Sequence, residues 1–225
     1  MRTAPAARHI IDELARQHPG AETELHYRNP FELLVATVLS AQSTDARVNS
    51  ATPALFARYP DATMMSRAGA AAVESIIRST GFFRQKARSL IGLAQGIANS
   101  HDGRVPASMD ALTALPGVGR KTANVVLGHA FGVPSFPVDR HVLRVAQRIG
   151  LADGTGPEQV ESELCALLPA ARWTQAADVL ILHGRRVCKP VPTCAQCTIR
   201  QYCDYVSRIA SSDSHDAPGV RTTGH

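Results

Sequence analysis

The chain has 225 residues, 44% of them apolar and 19% charged, enough apolar material for a sizeable core, which excludes wholesale disorder. No stretch approaches the ~18 uncharged apolar residues of a membrane span, and Arg2, Arg8, Asp12 and Glu13 interrupt the segment a secretory signal would occupy, so a cytosolic protein is expected. Twenty-four basic against nineteen acidic residues give a net charge of +5, which favours a polyanionic partner.

Apolar residues recur at helical spacing almost throughout, and no alternating run of strand type is visible, so the predicted fold class is all-α. Ile10, Ile11 and Leu14 mark a first helix. Asn29 followed by Pro30 reads as an N-cap and first helical position, leading into Phe31, Leu34, Val35, Val38 and Leu39. Val48 to Phe56, Val73 to Ile77, and the series Ala87, Leu90, Ile91, Ala94, Ile97 and Ala98 predict the next three. Ser108 caps a short helix through Leu115, and helices follow over 121–131, 139–149, 157–168 and 173–183. Breaks fall at 103–106, 116–119, 132–137 and 150–157, each holding the Gly or Pro that helices avoid. Residues 211–225 offer little to bury and predict a disordered tail.

Lysine occurs only at Lys86, Lys121 and Lys189, against twenty-one arginines. A lysine kept where arginine otherwise serves points to an ammonium that has to lose its proton, which a guanidinium does not do. Lys121 ends the string Leu115-Pro116-Gly117-Val118-Gly119-Arg120-Lys121, a turn between two helices with glycine at alternate positions. Glycine there permits positive φ and close approach of another chain, and the N–H groups of the turn and the following helix form a ready phosphate site. The string is similar to the hairpin of the helix-hairpin-helix motif, which grips the DNA backbone without reading sequence. The helix dipole and Arg120 both act to lower the Lys121 pKa, so it reads either as a nucleophilic amine or as a second phosphate contact. A helix over 121–131 spans ~16 Å. The seven residues 132–138 can reach ~23 Å, so the chain can bring Asp139 back to the end where Lys121 lies. Asp139 opens the next amphipathic helix, as a plain N-cap or as a cap that also turns a rigid carboxylate toward the lysine.

Four of five cysteines, Cys188, Cys194, Cys197 and Cys203, fall within sixteen residues, a density that reads as a metal or cluster site in a cytosolic chain. Their C-x5-C-x2-C-x5-C spacing leaves zinc and a [4Fe–4S] cluster open, and favours the cluster because structural zinc more often takes two C-x2-C pairs. Arg185, Arg186, Lys189 and Arg200 give the site a basic rim suited to phosphate. Cys165 stands apart on an apolar helix face and is expected to be buried packing.

Residues 115–126, Val138-Asp139-Arg140-His141 and the cysteine quartet together resemble bacterial endonuclease III, of the helix-hairpin-helix DNA glycosylase superfamily. So do Leu39-Ser40-Ala41-Gln42-Ser43-Thr44-Asp45, Gly81-Phe82 and Leu180-Ile181-Leu182-His183-Gly184-Arg185; the likeness covers about residues 8–207. It implies two helical domains with a DNA cleft between them: a six-helix barrel with the hairpin over 23–133, and an iron–sulfur cluster domain from 1–22 and 134–210. It also implies a bifunctional DNA glycosylase and abasic-site lyase of base excision repair. Lys121 would be its Schiff-base nucleophile and Asp139 its catalytic carboxylate, and the four cysteines would hold a [4Fe–4S] cluster. Gly117, Val118, Gly119, Arg120 and His141 would bind DNA, while Gln42 and Phe82 would fill the gap left by the extruded nucleotide. Of the adjacent Phe82 and Phe83, at least one should point outward. The implied partner is duplex DNA with damaged pyrimidines or abasic sites, met by a monomer in the cytoplasm at the nucleoid, with no membrane involved. Two departures from the family pattern stand out: Arg140 replaces the usual Thr, and the first cysteine gap is five residues instead of six. The alternatives are a monofunctional glycosylase of the superfamily and a non-catalytic DNA-binding relative. The former typically lacks the lysine and adds a C-terminal recognition domain, for which this chain is expected to have no room.

Overall fold

The structure, a computed structural model, describes residues 2–213. In chain order its helices are α1 (Ala4–Gln17), α2 (Pro30–Ser40), α3 (Asp45–Arg58), α4 (Ala62–Ser66), α5 (Ala70–Ile77) and α6 (Phe83–Ser100). They continue with α7 (Met109–Thr113), α8 (Arg120–Phe131), α9 (Arg140–Arg148), α10 (Pro157–Leu167), α11 (Trp173–Arg186) and α12 (Asp204–Asp213). No strand occurs among the described residues, so the fold is all-α as the periodicity predicts. None of these helices is long and apolar enough to cross a membrane.

The chain divides into two compact units. One comprises residues 22–137 and 170–174, and α2 runs through its middle with Phe31 to Leu39 buried without a break. Such all-round burial is expected of a helix packed on every side, and α3, α6 and α8 surround it. Asn29 caps α2 through the Glu32 N–H at 3.0 Å, and Ser108 caps α7 through the Ala111 N–H at 3.2 Å, both as the sequence predicts. Leu55, Ile77, Leu90, Leu93, Leu112 and Val126 complete one continuous core.

Residues 134–137, expected from the family resemblance to join the other domain, group here with α8. The Ser135 hydroxyl donates to the Asn124 carbonyl at 2.7 Å, and Phe136, 1% exposed, receives the Asn124 amide at 3.4 Å. The Thr174 hydroxyl donates to the Ser135 carbonyl at 3.2 Å, which draws 170–174 to the same side.

The second unit holds α1, α9, α10, most of α11, and α12. Ile10, Ile11 and Leu14 of α1 are buried, as are Val160 and Leu164 of α10. The Arg2 guanidinium hydrogen-bonds the Ile149 carbonyl at 2.9 Å, and also the Tyr202 carbonyl and the Asp204 carboxylate, so segments about 200 positions apart are stitched within one unit. Cys165, expected to be buried, is only half-buried, because the apolar stripe of α10 passes through Val160 and Leu164 beside it.

Two helices go beyond the predicted set. Five-residue α4 is too short to show a period, although Asp61 caps it through the Met64 N–H at 2.7 Å. Helix α12 includes residues 211–213 of the expected tail; the remainder of that tail, 214–225, lies outside the described residues.

Candidate functional site

The hairpin joins α7 to α8. Leu115 and Val118 are buried in the core, and the Val118 N–H donates to the Leu115 carbonyl at 3.1 Å, closing the turn. Val118 thus faces inward, and the exposed surface of the turn falls to Gly117 and Gly119. These two glycines are needed for different reasons. Gly117 has φ +79°, and a Cβ there would lie 2.7 Å from the Ser89 Cβ of α6. Gly119 is extended at φ −92°, with nothing within 4 Å of the position a Cβ would take, and serves as an N-cap without a side-chain hydrogen bond. Its bareness keeps the N-terminus of α8 open. Exposed Arg120 and Lys121 are the first two residues of that helix.

Asp139 is the N-cap of α9, in the other unit. Its Oδ1 accepts both the His141 N–H at 2.7 Å and the Val142 N–H at 2.9 Å, so the carboxylate is fixed while Oδ2 stands outside the cap. Val142, Val145 and Ala146 bury the inner face of α9 and hold that orientation. Half-buried His141 packs against Gly184, where a Cβ would come within 2.8 Å of its own. Its Nδ1 lies 3.2 Å from the Arg144 guanidinium and its Nε2 3.4 Å from Arg140. Burial pushes the His141 pKa down; Asp139 opposes this, but Arg144, Arg140 and Arg185 reinforce it.

Gln42 and Phe82 share an unusual backbone. Along with Asp102 they are the non-glycine residues with positive φ among the described residues, Gln42 at 52° and Phe82 at 47°. Left-handed backbone is costly for residues with a Cβ and points to a conformation imposed by the surroundings. Gln42 is exposed just after α2, and Phe82 is 66% exposed just before α6, while Phe83 is tucked against the core. The outward aromatic of the pair is therefore Phe82.

The four cysteines belong to one unit and line one cavity, together with apolar Ile149, Val187 and Pro192. Cys188 follows α11, Cys194 and Cys197 bracket a single 3-10 turn, and Cys203 precedes α12. No group of three or more His, Cys, Asp or Glu among the described residues is placed to hold a single metal ion. Zinc at ~2.3 Å from each sulfur would need the thiols within ~4 Å of one another. Four thiols around one cavity are the donor set that a [4Fe–4S] cluster takes. Burial raises the Cys197 thiol to about 11 and also raises Cys203, with charge on the neighbouring cysteines adding to the effect. Cationic iron would reverse that balance.

The shortened loop after Cys188 is braced. Arg148 donates to the Lys189 carbonyl at 2.6 Å, the Pro190 carbonyl at 2.9 Å and the Cys188 sulfur at 3.5 Å. Arg144 holds the Cys188 carbonyl at 3.0 Å. Lys189, Arg186 and Arg200 stay exposed around it, and Arg185 is half-buried. Sequence reasoning missed these two braces and also a buried imidazole pair: His18 Nε2 lies 3.0 Å from His183 Nδ1, and His183 Nε2 lies 3.6 Å from the Cys197 sulfur. Burial, with His18 adding, lowers the His183 pKa to about 4. The arginines carried only a helical spacing on α9 as a signal, and His18 carried none.

The profile of the HhH-GPD superfamily base excision DNA repair protein matches residues 35–170. The chain is 47% identical over 199 residues to endonuclease III of Synechocystis, covering 88% of this chain and 91% of that relative. It is 41% identical over 201 residues to endonuclease III of Escherichia coli K12, covering 89% and 95%. Among solved structures it resembles a trapped endonuclease III–DNA covalent intermediate, with TM-score 0.88 and 40% identity over 93% of this chain and all of that one. A non-covalent endonuclease III–DNA complex gives the same TM-score and identity over 94% of this chain. A thermostable thymine-DNA glycosylase, TM-score 0.78 at 22% identity, shares the fold. With this identity maintained along nearly its whole length, the chain belongs to the endonuclease III family of the HhH-GPD superfamily.

Proposed function

We propose that the protein is a bifunctional DNA glycosylase and abasic-site lyase of base excision repair, acting as a monomer on oxidised pyrimidines in duplex DNA. The observation that carries this reading is Lys121 on the exposed first turn of α8, directly after the glycine turn, in a chain aligned over 93% of its length with a DNA-trapped covalent intermediate. The unit of α2 to α8 is the barrel domain with the hairpin, and the other unit is the cluster domain.

The neutral Lys121 Nζ attacks C1′ of the flipped nucleotide; the C1′–N bond breaks, and its electron pair leaves with the base, which takes up a proton. The nitrogen lone pair then forms the C1′=N bond as the C1′–O4′ bond breaks, O4′ takes up a proton and the sugar ring opens, leaving a protonated Schiff base. Removal of a C2′ proton then expels the 3′ phosphate by β-elimination. Asp139 accepts the lysine proton and faces the positive charge that develops on the sugar. Its Oδ1 is held by two N–H groups of the cap, which leaves Oδ2 for this role. Gly117, Gly119 and Arg120 bind the DNA backbone, with Val118 shaping the turn from within, and His141 contributes beside Asp139. Gln42 and Phe82 occupy the vacated stack. Cys188, Cys194, Cys197 and Cys203 hold the [4Fe–4S] cluster, which staples this loop-rich segment.

Borohydride reduction tests the assignment. Wild type should give a covalent protein–DNA adduct on the peptide containing Lys121, and Lys121→Gln should give none there. Normal base excision by Lys121→Gln would overturn it. A pure phosphate contact would instead show weaker binding, a shallower salt dependence and normal chemistry at saturating protein.

A further inference from the structure

Lys86 is the lysine that neither the proposed chemistry nor the cysteine site uses. It sits in the first turn of α6 and is 5% exposed, unusual for a residue whose ammonium is strongly hydrated. Its Nζ donates to the Leu39 carbonyl at 2.8 Å and to the Thr80 carbonyl at 2.7 Å. Its own N–H donates to the Phe82 carbonyl at 3.0 Å.

Those three acceptors lie on the two segments that carry left-handed Gln42 and Phe82. Leu39 belongs to the last turn of α2, three residues before Gln42; Thr80 closes the 3-10 turn Arg78–Thr80, two residues before Phe82. The carbonyls that end a helix lack intrahelical donors and carry the negative end of its dipole, so they suit a buried ammonium. Thr80 is itself buried, and its hydroxyl is spent on the Ile77 carbonyl at 2.8 Å. Burial lowers the Lys86 pKa. One side chain therefore joins Leu39, 47 positions before it in sequence, to Thr80, at the bases of both exposed tips.

We infer that Lys86 is a positioning residue that locks the Gln42 and Phe82 loops into one rigid plug. This rests on the reading of Gln42 and Phe82 as the groups that fill the vacated stack. Without the ammonium, the α2 end and the Thr80 turn lose their common anchor, so each tip can relax from its left-handed conformation. Filling the stack would then require ordering two loops at the moment of base extrusion.

The test compares single-turnover excision at saturating protein on one lesion in two settings: a fully paired duplex and the same duplex weakened by flanking mismatches. Lys86→Met keeps the stem and removes the donors; Lys86→Gln, a shorter neutral donor, carries the same test if the first variant does not fold. The expected result is a loss of about tenfold or more on the paired duplex, with less than threefold on the weakened one and unchanged strand cleavage at a preformed abasic site. Combining Lys86→Met with Phe82→Ala should add little to Phe82→Ala alone, because both remove the same plug. Equal loss on both duplexes, or additive losses in the double variant, would make Lys86 a plain packing residue and overturn the inference. If Phe82→Ala and Gln42→Ala themselves show no preference for weakened duplex, the plug reading falls, and the inference with it. Preference in those two but not in Lys86→Met overturns the inference alone.

Discussion

Substitution can separate the capping duty of Asp139 from its proposed catalytic one. As N-cap it feeds two backbone N–H groups from one oxygen. Asn caps nearly as well as Asp, whereas Ala loses about 1 kcal/mol. Asp139→Asn should therefore keep its denaturation midpoint while base excision collapses, and Asp139→Ala should lose both. Excision retained in Asp139→Asn would reduce the residue to a cap. Phe82 shows the converse pattern: it is 66% exposed at φ 47°, so its ring adds little to the core and its backbone is strained. A left-handed L-residue costs ~1–2 kcal/mol, and glycine returns ~0.5–1 kcal/mol of that as unfolded-chain entropy. Phe82→Gly should hold or raise stability by up to about 1 kcal/mol in urea unfolding, yet excise poorly from paired duplex. A clear loss of stability would mean that the ring packs.

At the level of the element, the hairpin uses its two glycines in opposite ways. Gly117 meets the Ser89 side chain and has a positive φ, so Gly117→Ala should destabilise by about 1–3 kcal/mol. Gly119 is extended and open, and a Ser there would supply the side-chain cap that α8 lacks. Gly119→Ser should keep or gain stability while weakening DNA binding, because the side chain occupies the space a phosphate would use. Calorimetry beside a binding titration separates the two, and equal DNA affinity in Gly119→Ser would remove this turn from the interface.

For the molecule as a whole, the cysteine segment ties the C-terminal part of the chain to its own unit, through Arg148 and Arg144 of α9 and through the His18–His183 pair. Purified protein should carry about four iron atoms per chain and absorb as a [4Fe–4S] site does. Cys197→Ser should lose most of that iron and fall sharply in soluble yield, because all four cysteines line the one cavity that the cluster would fill. Stoichiometric zinc in protein purified under cluster-preserving conditions would overturn the cluster assignment.

What the sequence determined by itself is what is local in physics. Helical periods, the Asn29, Ser108 and Asp139 caps, the glycine turn and the cysteine spacing are each set within a few residues, because caps and turns close hydrogen bonds over two to four positions. The resemblance carried by these motifs led to the family and to the proposed catalytic pair, Lys121 and Asp139. Tertiary structure alone decided which of Phe82 and Phe83 faces outward, and why Val118 turns into the core. It also decided that Gly117 is demanded by Ser89, 28 positions earlier on α6. Lys86 is the sharpest case. Its rarity marked it in the sequence, but its partner at Leu39 comes from another helix, and no local window contains the pair. Burial and carbonyl acceptors turned a rare residue into an anchor, and both are properties of packing rather than of composition.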